Sequence, residues 1–275
     1  MMNKTKIDWC DYTWNPISGC SPISEGCKNC FAERVSARFK LPWGKPVFHP
    51  EKLEEPLRTK KPGKVFVCSM SDLFHEDVKP EWIWQIWTAM LKAPQHTFIV
   101  LTKRAKRMKA VVKEIYSQNP HLSTPLPNVW IGVTAENQRT ADERIPLLLR
   151  TPASKRFVSV EPMLGPINLE ETKGYWGGIG LDWIVCGGES GAGARPMHPD
   201  WVRGLRDQCK AASVPFFFKQ WGEWAPSPDG GTPDHLPSNA GYYFKDAPYL
   251  GKVWRFGKQA AGHLLDGKEH REWPV

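Results

Sequence analysis

Three features of the sequence predict an α/β fold, a partial (β/α) barrel of about six to seven parallel strands with an irregular C-terminal extension. Short apolar runs recur along the middle of the chain, amphipathic segments separate them, and nearly every run ends on charged or hydroxyl residues. Near-continuous β-branched and aromatic runs suit strands covered on both faces, and their alternation with helices argues for βαβ units. At 275 residues, one barrel of ordinary size uses most of the chain. The expected division is a barrel over residues 1–224 and an extension over 225–275 packed on it.

The predicted strands are Val65–Ser69, Thr97–Leu101, Val129–Val133, Phe157–Val160, Trp183–Cys186 and Phe216–Phe218. Helices are expected over Pro80–Lys92, Ala105–Tyr116, Gln138–Leu149 and Pro199–Ala212. Beyond Ala225 the Ser227–Gly231 stretch (SPDGG) reads as irregular loop. Tyr242–Phe244 and Lys252–Phe256 are placed to form a small hairpin.

Hydrophobic residues make up 41% of the chain, and no apolar run approaches the ~18 residues that span a bilayer. The opening MMNKTKIDW lacks the apolar core of a signal peptide, so a cytoplasmic protein without a membrane partner is expected. A net charge of +8 fits a nucleic-acid partner, although many soluble proteins are mildly basic. Most of the fourteen Trp are expected in packing, with a few left for a binding surface.

Seven Cys are present, and Cys20, Cys27 and Cys30 crowd together as C-x6-C-x2-C within a Gly/Pro/Ser loop. Clustered Cys in a cytosolic chain point to metal rather than disulfides. Cys68, Cys186 and Cys209 read as ordinary buried thiols. Gly19 and Gly26, each just before a Cys, permit tight turns. A structural zinc site is closed by four ligands, whereas a [4Fe–4S] cluster on three Cys keeps one iron open for a cofactor. Cys10 or a His would complete a zinc site, and spacing alone leaves both readings open. Position favours the cluster: the triad precedes a predicted helix, Ala32–Phe39, at the start of the βα units.

The strand ends carry Ser69-Met-Ser71-Asp72, Thr102-Lys103-Arg104, Thr134-Ala-Glu136-Asn137, Glu161-Pro162, Gly187-Gly188-Glu189-Ser190 and Lys219-Gln220. A parallel barrel builds its active site at those ends. Helix capping accounts for Ser71 and Thr134. It accounts poorly for Lys103, Arg104, Glu161 and Lys219, which are the catalytic candidates, since helix starts disfavour bases. Lys103, Arg104, Arg195 and Lys219 are also placed to meet an anionic substrate.

The chain resembles the phage-associated three-cysteine-motif family of unknown function. The resemblance runs through Ile7-Asp-Trp9, Trp14-Asn15-Pro16, Gly19-Cys20, Gly26-Cys27-Lys-Asn-Cys30-Phe-Ala32 and Ser69-Met-Ser71-Asp72-Leu-Phe74. It continues through Leu101-Thr-Lys-Arg104, Gly132-Val-Thr134, Ser159-Val-Glu-Pro162, Gly187-Gly188-Glu189-Ser190, Lys219-Gln220-Trp221-Gly222 and Leu265-Asp266-Gly267. That family is similar to radical S-adenosylmethionine enzymes of the spore-photoproduct-lyase type. The resemblance implies a [4Fe–4S] cluster and S-adenosylmethionine, which together generate a 5′-deoxyadenosyl radical, with nucleic acid or a nucleotide as the substrate class. Six residues between the first two Cys depart from the usual three, and Cys10 falls where a Thr is usual. Ser69, Ser71 and Asp72 are then expected at the methionine moiety, with Asp72 accepting from its ammonium. Thr134, Glu136 and Glu161 are expected at the ribose and sulfonium side, and Gly187, Gly188 and Glu189 near the adenine, ribose or substrate. The rival reading is a non-catalytic zinc protein that binds nucleic acid.

Overall fold

The computed structural model describes all residues except 120, 121, 123, 173–179, 228–230, 232, 234, 235, 238, 239 and 246–250. Its strands are β1 (Asn3–Lys4), β2 (Tyr12–Trp14), β3 (Ile17–Ser18), β4 (Val47–Phe48), β5 (Lys64–Val67), β6 (Thr97–Thr102) and β7 (Val129–Thr134). They continue with β8 (Lys155–Val160), β9 (Trp183–Gly187), β10 (Phe216–Gln220), β11 (Trp224–Ala225), β12 (Gly241–Phe244) and β13 (Gly251–Arg255). The α-helices are α1 (Phe31–Arg38), α2 (Glu55–Arg58), α3 (Pro80–Leu91), α4 (Ala105–Gln118), α5 (Gln138–Leu149), α6 (Pro199–Ala211) and α7 (Lys258–Ala261).

Eight strands form one sheet in the order β1-β2-β5-β6-β7-β8-β9-β10. β1 runs antiparallel to β2, while β2, β5, β6 and β7 pair in parallel, as do β9 and β10. This is an α/β fold with a mostly parallel sheet and the element order of a partial (β/α) barrel. All six predicted strands and all four predicted long helices are present, with ends shifted by one or two residues.

One of the shifted ends lies at the cysteine loop: β5 stops at Val67 rather than Ser69. Cys68 takes a left-handed φ of 59° while its N–H donates to the Trp14 carbonyl at 2.8 Å. The chain then bends, and Ser71 bridges in parallel to Gly19.

Two compact units divide the chain: residues 1–134 with 144–157, and residues 135–143 with 158–275. In the first, α3 opens with Pro80 at a position that needs no N–H and buries Ile83, Ile86, Trp87 and Met90, an i, i+3, i+4, i+7 stripe. Trp14, Phe98 and Val100 are fully buried in the same unit, and Trp14 and Phe98 rings lie 5.7 Å apart. Burying residues of this size contributes about 1.5–3 kcal/mol each.

In the second unit, α6 starts at Pro199, with His198 Nδ1 accepting from the Asp200 N–H at 3.0 Å, and buries Val202, Leu205 and Cys209. β11, β13 and β12 form a three-stranded antiparallel sheet, so the hairpin expected at 242–256 is present and the tail is more regular than its composition suggests. Of the predicted Ser227–Gly231 loop, residues 228–230 lie outside the described residues. The last residues run beside β10: Phe217 bridges to Arg271, Phe218 N–H donates to His270, and Glu272 N–H to Phe216. Trp183 Nε1 donates to the Glu272 carbonyl, and its ring stacks on Trp273 at 4.8 Å.

Candidate functional site

The loop between β3 and α1 carries the three clustered cysteines. Gly19 holds φ at 88°, and a Cβ there would lie 2.3 Å from the Lys45 carbonyl oxygen, so only glycine fits. Its N–H donates to the Met70 carbonyl at 3.0 Å. Cys27 closes a short 3-10 turn, Glu25–Cys27, which contains Gly26, and Cys30 caps α1. Cys30 N–H donates to the Cys27 carbonyl at 3.1 Å, which sets these two residues one turn apart.

Cys20, Cys27 and Cys30 line one cavity of about 160 Å³ in the first unit. Ser69, Ser71, Asp72, Lys103, Arg104 and Thr134 line the same cavity. Trp43, Phe66, Leu101 and Cys68 supply apolar wall. Nine residues singled out from the sequence therefore meet at one place, at the ends of β5, β6 and β7.

Several of these side chains have partners within the protein. Ser69 Oγ donates to Asn15 Oδ1 at 3.2 Å and Ser71 Oγ to the Ile17 carbonyl at 2.8 Å, so both fasten the β5 turn to the segment that leads into the cysteine loop. Asp72 is buried and accepts from Thr102 Oγ1 at 2.7 Å, Phe74 N–H at 2.9 Å, Lys103 N–H at 3.1 Å and Arg104 Nη1 at 3.3 Å. Four internal donors occupy the carboxylate that was expected to take an ammonium. Arg104, also buried, donates Nε to Glu76 Oε2 at 2.7 Å, Nη1 to Cys20 Sγ at 3.6 Å, and Nη2 to Ser21 carbonyl and hydroxyl at 3.0 and 3.1 Å. With the Asp72 bond, five donations leave this guanidinium fully engaged within the protein.

Lys103 is the contrasting case: its N–H is held by Asp72, and its ammonium meets no acidic partner among the described residues. Burial pushes the Cys20 thiol up to about 11, with nearby Asp72 acting the same way and Arg104 opposing it. Burial likewise pushes Cys68 up to about 12, so it is an inert wall rather than a nucleophile. Glu76, Ser21, His75 and Trp43 were not singled out from the sequence. The acid-and-histidine run His75-Glu76-Asp77, which begins eight residues past the end of β5, was the signal available for two of them.

The remaining expected residues belong to the second unit. Glu161 is paired with Lys219, whose ammonium is 3.2 Å from Oε1. Arg195 forks onto Glu189, with Nε to Oε2 at 2.9 Å and Nη2 to Oε1 at 2.6 Å. Glu136 is buried, and its N–H donates to Thr140 Oγ1 at 2.9 Å. The glycines of the Gly187-Gly188-Glu189 string are explained by packing within the unit. A Cβ on Gly187 would be 2.8 Å from Glu161 Oε1, and one on Gly188 would be 1.9 Å from the Trp221 carbonyl oxygen. The close approach at Gly188 is thus made by the Trp221 backbone, and that at Gly187 by the Glu161 carboxylate.

Among the described residues, no three His, Cys, Asp or Glu side chains could hold one metal ion. Nor is any described helix long and apolar enough to cross a membrane.

Fold and site together define an α/β protein with a cysteine-lined cavity at the strand ends of a mostly parallel sheet. The chain belongs to the family described as protein of unknown function DUF5131, whose model matches residues 4–274. No curated protein matches it. Among solved structures it is similar to three of spore photoproduct lyase, in each case over 93% of this chain and 71% of the other. A single-site variant gives a TM-score of 0.48 at 12% identity. A double variant with bound AdoMet and dinucleoside spore photoproduct gives 0.46 at 11%, and a complex with the dinucleoside photoproduct gives 0.44 at 11%.

Proposed function

We propose that this protein is a radical S-adenosylmethionine enzyme whose [4Fe–4S] cluster is held by Cys20, Cys27 and Cys30. The observation that carries this reading is the lining of one cavity by all three thiols beside the ends of β5, β6 and β7. A structural zinc site is closed by four ligands, whereas in a cluster three thiolates each take a separate iron and the fourth iron stays open for a cofactor. When bound, the cluster and S-adenosylmethionine supply the electron and the carbon radical for hydrogen abstraction.

The chain's own residues bind and orient. Lys103, with its N–H fixed by Asp72, is the cation that faces the cofactor carboxylate or an anionic substrate. Thr134, at the end of β7, contributes a hydroxyl to the same cavity. Glu161 with Lys219 and Glu189 with Arg195 are the acid–base pairs of the second unit, proposed in their own right as substrate-binding groups. Nucleic acid or a nucleotide is the proposed substrate class, supported by the net charge of +8.

Anaerobic reconstitution should load about four iron and four sulfide per chain. Changing Cys20, Cys27 or Cys30 to Ala should abolish loading, while Cys10→Ala should leave it intact, Cys10 being buried outside the cavity lining. S-adenosylmethionine should perturb the spectrum of the reduced protein and be cleaved to 5′-deoxyadenosine. Stoichiometric zinc without iron uptake would sink the reading.

A further inference from the structure

The C-x6-C-x2-C spacing creates a mechanical problem. Cys27 and Cys30 are positioned by one 3-10 turn and the start of α1, so their geometry is local. Cys20 is seven positions earlier, on a Ser-Pro-Ile-Ser stretch with no helical scaffold of its own. Something outside the loop must set where its sulfur stands.

We infer that Arg104 is that element, a positioning residue that anchors the Cys20 arm of the loop and sets the electrostatic potential at its sulfur. This inference rests on the assignment of Cys20, Cys27 and Cys30 as cluster ligands. Arg104 lies at the turn from β6 into α4, so it is presented by the sheet rather than by the cysteine loop. Nη2 grips both the carbonyl and the hydroxyl of Ser21, the residue directly after Cys20, at 3.0 and 3.1 Å. Nη1 points at Cys20 Sγ from 3.6 Å. A planar fork can do both at once, which a lysine ammonium cannot.

The fork itself is braced. Glu76 holds Nε at 2.7 Å and Asp72 holds Nη1 at 3.3 Å, while Asp72 is in turn fixed by Thr102 and two backbone N–H groups. Ser21 is steadied from its other side by His75. The His75 Nδ1 accepts from the Asp77 N–H at 3.1 Å, so the neutral ring carries its proton on Nε2 and donates to Ser21 Oγ at 2.7 Å. Such outer partners orient ligands and tune the centre they hold.

A positive charge and an N–H on a ligating sulfur both favour the reduced, more negative state of an iron–sulfur centre. Arg104→Gln removes the charge and keeps a side chain that can donate. Arg104→Lys keeps the charge and gives up the fork. The experiment reconstitutes wild type and both variants anaerobically, counts iron and sulfide, and titrates the centre electrochemically with spectroscopic detection.

Arg104→Gln should move the midpoint to more negative potential by about a tenfold change in the oxidised-to-reduced ratio, or about 59 mV for one electron. Arg104→Lys should hold the wild-type midpoint and load less iron, because the Ser21 grip is lost. If Arg104→Gln does not fold, the Arg104→Lys result decides alone: full loading at the wild-type level overturns the anchoring role. Wild-type loading and midpoint in both variants overturn the whole inference while leaving the ligand assignment standing. No iron in wild type would instead refute the ligand assignment.

Discussion

A methyl group added at Gly188 would stand 1.9 Å from the Trp221 carbonyl oxygen, whereas one added at Gly204 on α6 meets nothing within 4 Å. Both residues lie in the same unit, so they make a matched pair. Gly188→Ala forces backbone apart and should destabilise by about 1–3 kcal/mol or more. Gly204→Ala lowers the entropy of the unfolded chain and should stabilise by about 0.4–1 kcal/mol. Urea denaturation of the two variants checks both signs. If Gly188→Ala proves neutral, the packing account of the Gly187-Gly188-Glu189 string fails and a ligand-contacting role regains ground. Asp72 gives the second residue-scale expectation. Removing the carboxylate leaves Arg104 buried without that partner, so Asp72→Ala should lose about 3–5 kcal/mol even in protein without iron. Normal stability with weakened cofactor binding would restore Asp72 as a direct ligand.

At the scale of elements, the sequence carried the sheet and its helices well because their signals are periodic and local. Runs such as VFVC, TFIVL and VWIGV announce strands covered on both faces. The stripe on α3 announces the helix that covers them. Which residue types gather at the cysteine cavity was also legible, since position at a strand end predicts it. What each side chain does there was not. That Arg104 turns onto Ser21 and Cys20 depends on partners 83 and 84 residues away, and three of the four donors that fill Asp72 come from 30 to 32 residues away. Spacing has no view of such distant partners. The C-terminal sheet was underread because its strands are short and polar residues dominate the stretches between them.

The joint between α6 and the Leu265–Gly267 turn offers a pH test at this scale. Arg203 and Arg206 both donate to the Asp266 carboxylate, at 2.7 and 2.8 Å. The Arg203 hydrogen bond above all holds the Asp266 carboxyl below its usual range. A lowered folded value means the stabilisation is present above the ordinary Asp value of about 3.9 and is lost as pH falls through the folded value. The three groups are partly exposed, so the contribution is about 1 kcal/mol at most. Asp266→Asn should therefore be less stable than wild type near neutrality, with the gap closing only in acid. A gap that persists unchanged at low pH would show that the pair is not its source.

For the whole molecule, the net charge of +8 makes a polyanionic partner testable without knowing the reaction. Each neutralised phosphate releases counterion, so oligonucleotide affinity should fall steeply as salt rises. Lys103→Ala should weaken that binding, because Lys103 lines the cavity and its ammonium has no acidic partner among the described residues. Fluorescence anisotropy with DNA and RNA oligonucleotides at low and moderate salt reads both effects. Binding that ignores salt and the substitution would move the substrate away from nucleic acid.

The final stretch of chain beside β10 has a consequence for the molecule in solution. β10 is the last strand of its sheet, a position where unpaired N–H and C=O groups invite another copy to add a strand. Here His270, Arg271 and Glu272 occupy that row, and Trp273 seals it by stacking on Trp183. The protein thus carries its own guard against edge-to-edge aggregation. A chain cut after Gly267 should keep its βα units yet self-associate, with rising light scattering at concentrations where the full chain stays monodisperse.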